Sequence, residues 1–506
     1  MPTLIKKPNI KTINPGFKTT IFFIFLFPVL LVGKTLEVGP GKPYSSPAAA
    51  KNFVLPGDTI LIFPNVYPGG NFIDNLHGEA DKYICFIGIN VESVIFQGNS
   101  QAFHFSDVSY LRIENISITG QTGNGMNIDD GGTFDTPSHH IHLKNCRFFD
   151  MAAQGNNDLL KLSGLDHFII EKCTFLNGAS GGSGADMVGC HYGTFTENRF
   201  ENMGSNCIQA KGGTQFIAIT RNWFVNGGQR TLNLGGSTGL AFFRPLDAPF
   251  EAADIDVFAN VIIGSWAPIA FVGCVRVHVV NNTIIKPQNW IIRILQETVD
   301  TGRFLPCGQN SFVNNIIYYG NSLSRHVNIG PNTEPTSFTF EHNLWYNTDN
   351  PSNSKPDLPV QEVMQTEGKD PMFSDIDQQD FTLTSQSPAI DAGKNTGFQF
   401  DFSGQPTPQG LRYDIGAYEF FIPSSVQSYN YTKSFSLFPN PCEDLLYIEN
   451  HLETPQSCCI TNVTGQMIYF SKVLPSASVS KISVDDWASG LYVICIGKQS
   501  SIVFKK

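Results

Sequence analysis

One residue position, returning through most of the chain, constrains the fold more than anything else in the sequence. An asparagine stands just past an alternating apolar segment at Asn115, Asn145, Asn198, Asn222, Asn260, Asn282, Asn315 and Asn343, and Lys172 takes the same place once. The intervals are 30, 27, 26, 24, 38, 22, 33 and 28 residues. A self-similar unit of this size marks a repeat array, in which each unit buries its apolar face only against its neighbours. Asparagine suits a corner of such a unit, because its amide bonds nearby backbone and it tolerates left-handed conformations. An aromatic or aliphatic residue shortly after it (Ile118, Phe148, Phe175, Phe200, Phe224, Ile262, Ile284 or Ile317) is expected to stack inside. Heptads and Leu-rich frames are absent, which excludes a helical or leucine-rich solenoid. Two or three short strands per unit with Asn and Gly corners predict an all-β chain built as a parallel β-helix.

The widest interval, Asn222 to Asn260, holds GGSTGLAFFRPLDAPFEAADI, an excursion beyond a plain coil. Long loops on a rigid scaffold are where sites are usually built. Ahead of the array, 45–54 reads as a short amphipathic helix and PGDTILIFPNVYPGG as turn, strand and turn, together covering an otherwise bare sheet edge. Behind it, SPAIDAG (387–393) and GLRYDIGAYEF (410–420) are expected to close the C-terminal end of the helix. From 434 onward, FSLFPNPCEDLLYIEN, ITNVTGQMIYF and ISVDDWASGLYVICIGKQSSIVFKK predict four to six strands in a small antiparallel sandwich.

Lys6, Lys7, Lys11 and Lys18 precede the apolar run 21–32, IFFIFLFPVLLV. That run falls short of the ~20 residues a bilayer span takes and fits the apolar part of a secretory signal peptide; an uncleaved membrane anchor is the alternative. The expected organisation is a signal peptide over 1–34, the β-helix over 35–425, a linker over 426–433 and the sandwich over 434–506. A formal net charge of −11 argues against nucleic acid or an anionic membrane as a partner. The 11 cysteines match no zinc spacing. Cys146 and Cys173 take the same place in neighbouring coils, where buried thiols act as small hydrophobes, or else form a disulfide.

The C-terminal unit, with its FPNP opening, NVTGQ turn, WASGLYVI strand and basic FKK end, closely resembles the sorting domain of the type IX secretion system. This implies handling by that machinery, delivery across the outer membrane and attachment to the cell surface. The region 41–420 resembles the right-handed parallel β-helix (pectate-lyase-like) superfamily, of whose secreted bacterial members SPAIDAG and DIGAYE are typical. Within it, IQAKGGTQFIAITRNWFVNGGQRTLNLGG is similar to the core of the chondroitinase B and alginate lyase group. There a catalytic lysine on one coil is followed on the next by an arginine in an Arg-His-Gly context. Lys211 stands at the lysine, and the arginine's position falls on Gly235. The resemblance leaves calcium open, since Gly204 and Asn206 stand where acidic ligands are expected; no other cofactor is implied. The function it implies is a lyase acting on an acidic, uronate-containing polysaccharide.

β-Elimination on a uronate needs a neutraliser for the carboxylate, a base for the adjacent proton and an acid for the leaving oxygen. Lysine serves as base where burial or nearby cations favour its neutral form, and arginine as a permanently charged planar clamp. Aligning Val188-Gly-Cys-His191, Ile208-Gln-Ala-Lys211 and Leu232-Asn-Leu-Gly235 turns Gln209, Lys211, Asn233 and Gly235 outward and makes His191 the neighbour of Lys211. Candidate catalytic residues are therefore Lys211, Arg230, His191 and Arg244, with Gln209, Asn233 and Arg293 binding substrate. Lys211 as a solvated surface lysine, His191 as a corner residue, and Arg230 and Arg244 as partners of Glu251 or Asp254 are the competing readings. The paired carboxylates of a glycoside hydrolase are not found near GCHYG, since Asp129 and Asp130 lie too far ahead of it. A uronate epimerase and a non-catalytic surface glycan-binding protein remain open.

Overall fold

The computed structural model describes residues 33–133, 135–421, 435–451, 454–462, 466–474, 478–496 and 499–506. The expected signal peptide, apart from residues 33 and 34, and the expected linker at 426–433 lie outside them. The chain divides into two compact units, 1–420 and 421–506.

The first unit is a parallel β-helix with three strands per coil. One coil runs through Ser183–Val188, His191–Thr196 and Arg199–Glu201, the next through Asn206–Lys211, Thr214–Thr220 and Trp223–Val225. The first two strands of each coil join a 21-stranded sheet and the third a 12-stranded sheet. Alternation decides which side chains enter the core: Ile208, Ala210, Leu232 and Leu234 are buried, as their period-two spacing requires. The expected internal stack exists, with Ile118, Phe148, Phe175, Phe200, Phe224, Ile262, Ile284 and Ile317 in one register column, all fully buried. Phe148, Phe175 and Phe200 lie nearly parallel, 4.9 and 4.4 Å apart.

The asparagines prove to be two adjacent columns. Asn198, Asn222, Asn260, Asn282, Asn315 and Asn343 form a buried ladder. From Asn222 on, each Oδ1 accepts from the backbone amide and the side-chain amide of the preceding asparagine, as Asn260 does from Asn222 at 2.9 and 3.1 Å, while Asn198 Oδ1 accepts from the Cys173 amide. Glu362 ends it, accepting both Asn343 donors on Oε1 and the Trp345 indole on Oε2 at 2.7 Å. Asn115, Asn145 and Lys172 occupy the position before the ladder, at φ of 56, 48 and 53°, and in those coils Ile116, Cys146 and Cys173 hold the ladder place. All 11 cysteines carry free thiols; Cys146 and Cys173 stack as expected, the Cys146 amide lying 3.4 Å from the Cys173 sulfur.

The predicted N-terminal helix is short, Pro47–Ala50 followed by a 3-10 turn Lys51–Phe53. The segments expected to close the C-terminal end lie along the flank instead. Ala417 and Tyr418 pack with Val261, Ile285 and Phe381, and Ala389 and Ile415 with Ile316 and Leu344. The Asn281 and Asn314 amides fasten them through Asp414 O and Lys394 O, both at 2.8 Å.

Among its described residues the second unit has seven strands, more than the four to six expected. Phe435–Phe438, Leu445–Asn450 and Ser478–Ser483 make one antiparallel sheet, and Met467–Leu474, Gln456–Asn462, Gly490–Ile496 and Gln499–Lys505 the other. Leu446, Ile448, Ile460 and Ile494 are among the buried side chains of its core.

Candidate functional site

The insertion leaves the sheet after Arg230–Gly235 and returns at Ala252–Phe258. Two acidic groups hold it down. Glu251, wholly buried, accepts from the Gly212 amide at 2.9 Å and from the Thr238 amide and hydroxyl at 2.9 and 2.7 Å. Asp166 takes both Nη atoms of Arg244 at 2.7 Å. Phe243, Ala248, Phe250 and Phe304 bury one another behind it.

Between this insertion and the outward face of Leu160–Ser163, Ser183–Val188 and Asn206–Lys211 opens a cavity of about 580 Å³. Asp130, Lys161, Ser163, Val188, Lys211, Thr238, Phe242 and Arg244 line it, and Phe242 stands 67% exposed at its rim.

Its floor is a charge cluster. In the register Lys161, Asp186, Gln209 and Asn233 are successive neighbours. The Lys161 and Lys211 ammonium groups both contact Asp186 Oδ2, Lys211 at 3.1 Å, and Lys161 also lies 3.8 Å from Asp158. Asp186 is 1% exposed and Lys211 14%, and Asp186 Oδ1 is buried with no hydrogen-bond partner among the described residues. Burial works against the Lys161 ammonium, but Asp186 and Asp158 hold its pKa above the usual lysine value. Burial and then Asp186 push the Asp158 carboxyl up to about 6, against the pull of Lys161 and the Ser183 amide. Burial also raises the Asp130 carboxyl, against the Gly132 amide. For Asp166 burial acts upward too, yet the hydrogen bonds from Arg244 and His191 keep it well below the usual carboxylate range.

Several expected neighbours are rearranged. Val188, not His191, is paired with Lys211. His191 belongs to the next strand, paired with Asp166 and Gln215. The Gly189-Cys190 corner takes up the residues that a plain alignment had counted into the strand. His191 Nε2 lies 3.2 Å from Gly213 O and from Arg244 O, and Nδ1 3.3 Å from Asp166, so the ring staples the insertion to the sheet. Arg244 lines the cavity, but its fork is engaged by Asp166 and by Gly189 O at 3.0 Å. Arg230 pairs with Glu297 at 2.7 Å rather than with Glu251 or Asp254, and donates to Asn233 Oδ1 at 3.0 Å. Asn233 is itself buried. Gln209 stays at the surface of the same column, accepting from Asn206 at 3.4 Å. Arg293 lies further along the face, bonded to Asn328 at 3.1 Å.

Gly235 has a steric reason. Its φ is +112°, and a Cβ there would sit 1.7 Å from Val272 O, so no arginine fits without moving the backbone. Lys161, Asp186, Asp158 and Asp130 were not anticipated. For Lys161 and Asp186 the signal was present in Leu160-Lys161-Leu162 and Ala185-Asp186-Met187, where a charge sits between two core residues at the position that Gln209 and Asn233 hold in later coils. Among the described residues no group of three or more His, Cys, Asp or Glu side chains is placed to hold a metal ion.

Similar solved structures include the pectate lyase Pel9A (17% identity, 77% of this chain and 97% of that one, TM-score 0.40). An alginate lyase from Paenibacillus sp. str. FPU-7 is 15% identical over 60% of this chain and 97% of its own, with a TM-score of 0.38. A mannuronic acid specific polysaccharide family 6 lyase from human gut microbiota is 12% identical over 66% and 80%, with a TM-score of 0.46. No curated protein matches the chain in sequence. Residues 87–242 match the family described as right handed beta helix region, and residues 436–506 that described as secretion system C-terminal sorting domain. The chain is therefore a right-handed parallel β-helix protein with a type IX sorting domain, exported to the cell surface or beyond.

Proposed function

We propose that the protein is a polysaccharide lyase that cleaves an acidic, uronate-containing polymer by β-elimination in the cavity under the insertion. The observation that carries this reading is the pair of lysines on one buried carboxylate oxygen, Lys161 and Lys211 on Asp186. Lys161 and Lys211 both line the cavity, where a substrate carboxylate can meet them. Lys161, held cationic by its two aspartates, serves as the neutraliser. Lys211, acting as the neutral amine, takes the proton α to that carboxylate and becomes the ammonium; the β carbon–oxygen bond breaks, a carbon–carbon double bond forms, and the leaving oxygen takes a proton from a cavity acid. Asp130, a cavity carboxyl that burial keeps protonated to higher pH, is suited to donate it. Phe242 offers an apolar face at the rim. Arg244 and His191 act by fixing the insertion.

The test is incubation of the full chain with alginate, polygalacturonate, chondroitin and dermatan, read by ultraviolet absorbance of the unsaturated product. Absorbance is expected on at least one polymer, and Lys211→Ala is expected to lower kcat about 10²- to 10⁴-fold, the usual worth of a general base. Full activity in Lys211→Ala would move the site elsewhere. Reducing ends without absorbance would make the enzyme a hydrolase, and polymer binding without either would make it a glycan-binding protein.

A further inference from the structure

Three coils beyond Lys211 the same outward face carries a second cluster, outside the cavity. The column of Lys161, Asp186, Gln209 and Asn233 continues through Ala270 to Arg293 and Asn328. Arg293 Nε donates to Asn328 Oδ1 at 3.1 Å, while its Nη1 and Nη2 donate to no group among the described residues. The guanidinium lies over the Trp290 ring, 4.5 Å from its centroid. Trp290 in turn meets Trp266 nearly perpendicularly at 6.1 Å, and Trp266 is 42% exposed. Arg230 stands alongside, shared between Glu297 and Asn233. Burial and then the Arg230 charge lower the Arg293 pKa, while Glu297 acts the other way.

These contacts orient Arg293 without neutralising it. Stacking on Trp290 and the bond to Asn328 remove rotational freedom that a surface arginine ordinarily keeps, and they leave its two-pronged edge open. That edge matches an anionic group with paired oxygens, a carboxylate or a sulfate ester. The two indoles beside it form an apolar corner for the C–H face of a sugar ring, with a charge in reach. Three strand spacings separate this corner from Lys211 along the sheet, roughly 14 Å, so one short sugar cannot fill both.

We propose that Arg293, with Trp266 and Trp290, forms a distal subsite that grips an anionic sugar residue of a polymer lying along the sheet toward the cavity. The proposal deepens the lyase reading, on which it rests for the role of the cavity; its own test needs only binding.

Full-chain protein is run by native electrophoresis through gels containing alginate or polygalacturonate, dextran sulfate, or neutral dextran. Retardation is expected in a polyanion gel and not in dextran; retardation by the carboxylated gels alone assigns a uronate, by dextran sulfate alone a sulfate ester. Arg293→Ala and Trp290→Ala are expected to weaken that retention about tenfold, the scale of a charge-assisted hydrogen bond, and Arg293→Lys, which keeps the charge without the fork, by less. Where cleavage is observed, the same variants raise KM on polymer and leave kcat within about twofold. Wild-type retention in Arg293→Ala, or no retardation of the wild type in any polyanion gel, overturns the subsite. Loss of retention in Arg293→Ala without unsaturated product from any polymer supports the subsite and defeats the lyase reading; product formed at unchanged KM by Arg293→Ala does the reverse.

Discussion

Replacing Asn260 by alanine tests whether the buried amide ladder holds the coils together. Asn260 Oδ1 is the acceptor for both the Asn222 backbone amide and the Asn222 side-chain amide. Its own Nδ2 serves Ile219 O, Phe258 O and Asn282 Oδ1 at 2.8, 3.1 and 2.9 Å. Alanine strands the two Asn222 donors where water does not reach, since Asn222 and Asn260 are both fully buried. Each orphaned donor costs about 1–3 kcal/mol, so about 2–6 kcal/mol is expected. The acceptors add little, because Asn282 Oδ1 keeps the Asn260 amide at 3.0 Å. The comparison is Asn202→Gly, in a second amide column at the surface, where Asn202 donates to Asn177 at 3.1 Å and sits at φ 56°. Glycine keeps that conformation and water replaces the bond, so the loss there should stay within about 0.5 kcal/mol. Urea unfolding followed by tryptophan fluorescence compares the two. An Asn260→Ala protein less than about 1 kcal/mol weaker than wild type, or no weaker than Asn202→Gly, refutes the reasoning.

Two further outcomes follow from buried charge. Burial pushes the Glu362 carboxyl up to about 7 from 4.5, against its three donors. The folded chain then holds a proton the unfolded chain has lost, so stability is full below about 4.5 and falls as pH rises toward 7, by about 3 kcal/mol; Glu362→Gln should flatten that part of a melting-temperature profile. Asp186→Asn leaves Lys161 and Lys211 facing each other across a neutral amide and is expected to cost about 3–5 kcal/mol, with Lys161→Met in the same chain recovering part of it. Thermal unfolding of the single and double variants checks this, and an undiminished melting temperature for Asp186→Asn would show that the cluster is solvated.

The sequence made the coil legible because burial writes itself into alternation: a residue facing the core cannot be polar without a partner, and Phe148, Phe175, Phe200 and Phe224 recur for that reason. It blurred the asparagines because two adjacent positions favour the same residue by different physics. Before Asn198 the asparagine, or Lys172, adopts positive φ and precedes the stacked apolar residue by three; from Asn198 on it is a buried hydrogen-bonder and precedes it by two. That change of offset was readable. The pairing of His191 with Lys211 failed at the corner Gly189-Cys190, because strand register depends on how many residues a bend consumes. The partners of Arg230 and Arg244 were beyond reach for a different reason: Glu297 is 67 residues from Arg230 and Asp166 is 78 from Arg244, and only the winding of the coils brings them together. Lys161 and Asp186 were within reach of the same alternation that located Lys211.

The amide ladder has a direction. Every rung from Asn198 to Asn343 gives its backbone amide proton and one side-chain proton to the Oδ1 or Oε1 of the following rung, and returns the other side-chain proton to a carbonyl of the preceding coil; the run stops at Glu362. Each coil is thus completed by chain that emerges after it. A ribosome or a secretion channel releasing the protein from its N-terminus delivers units that are still one acceptor short, and the terminator arrives about a hundred and fifty residues before the sorting domain ends. The two ends of the array are therefore not equivalent: trimming coils from the front takes one carbonyl acceptor from the first remaining asparagine, whereas removing Glu362 takes the acceptor of both the backbone and the side-chain amide of the last rung.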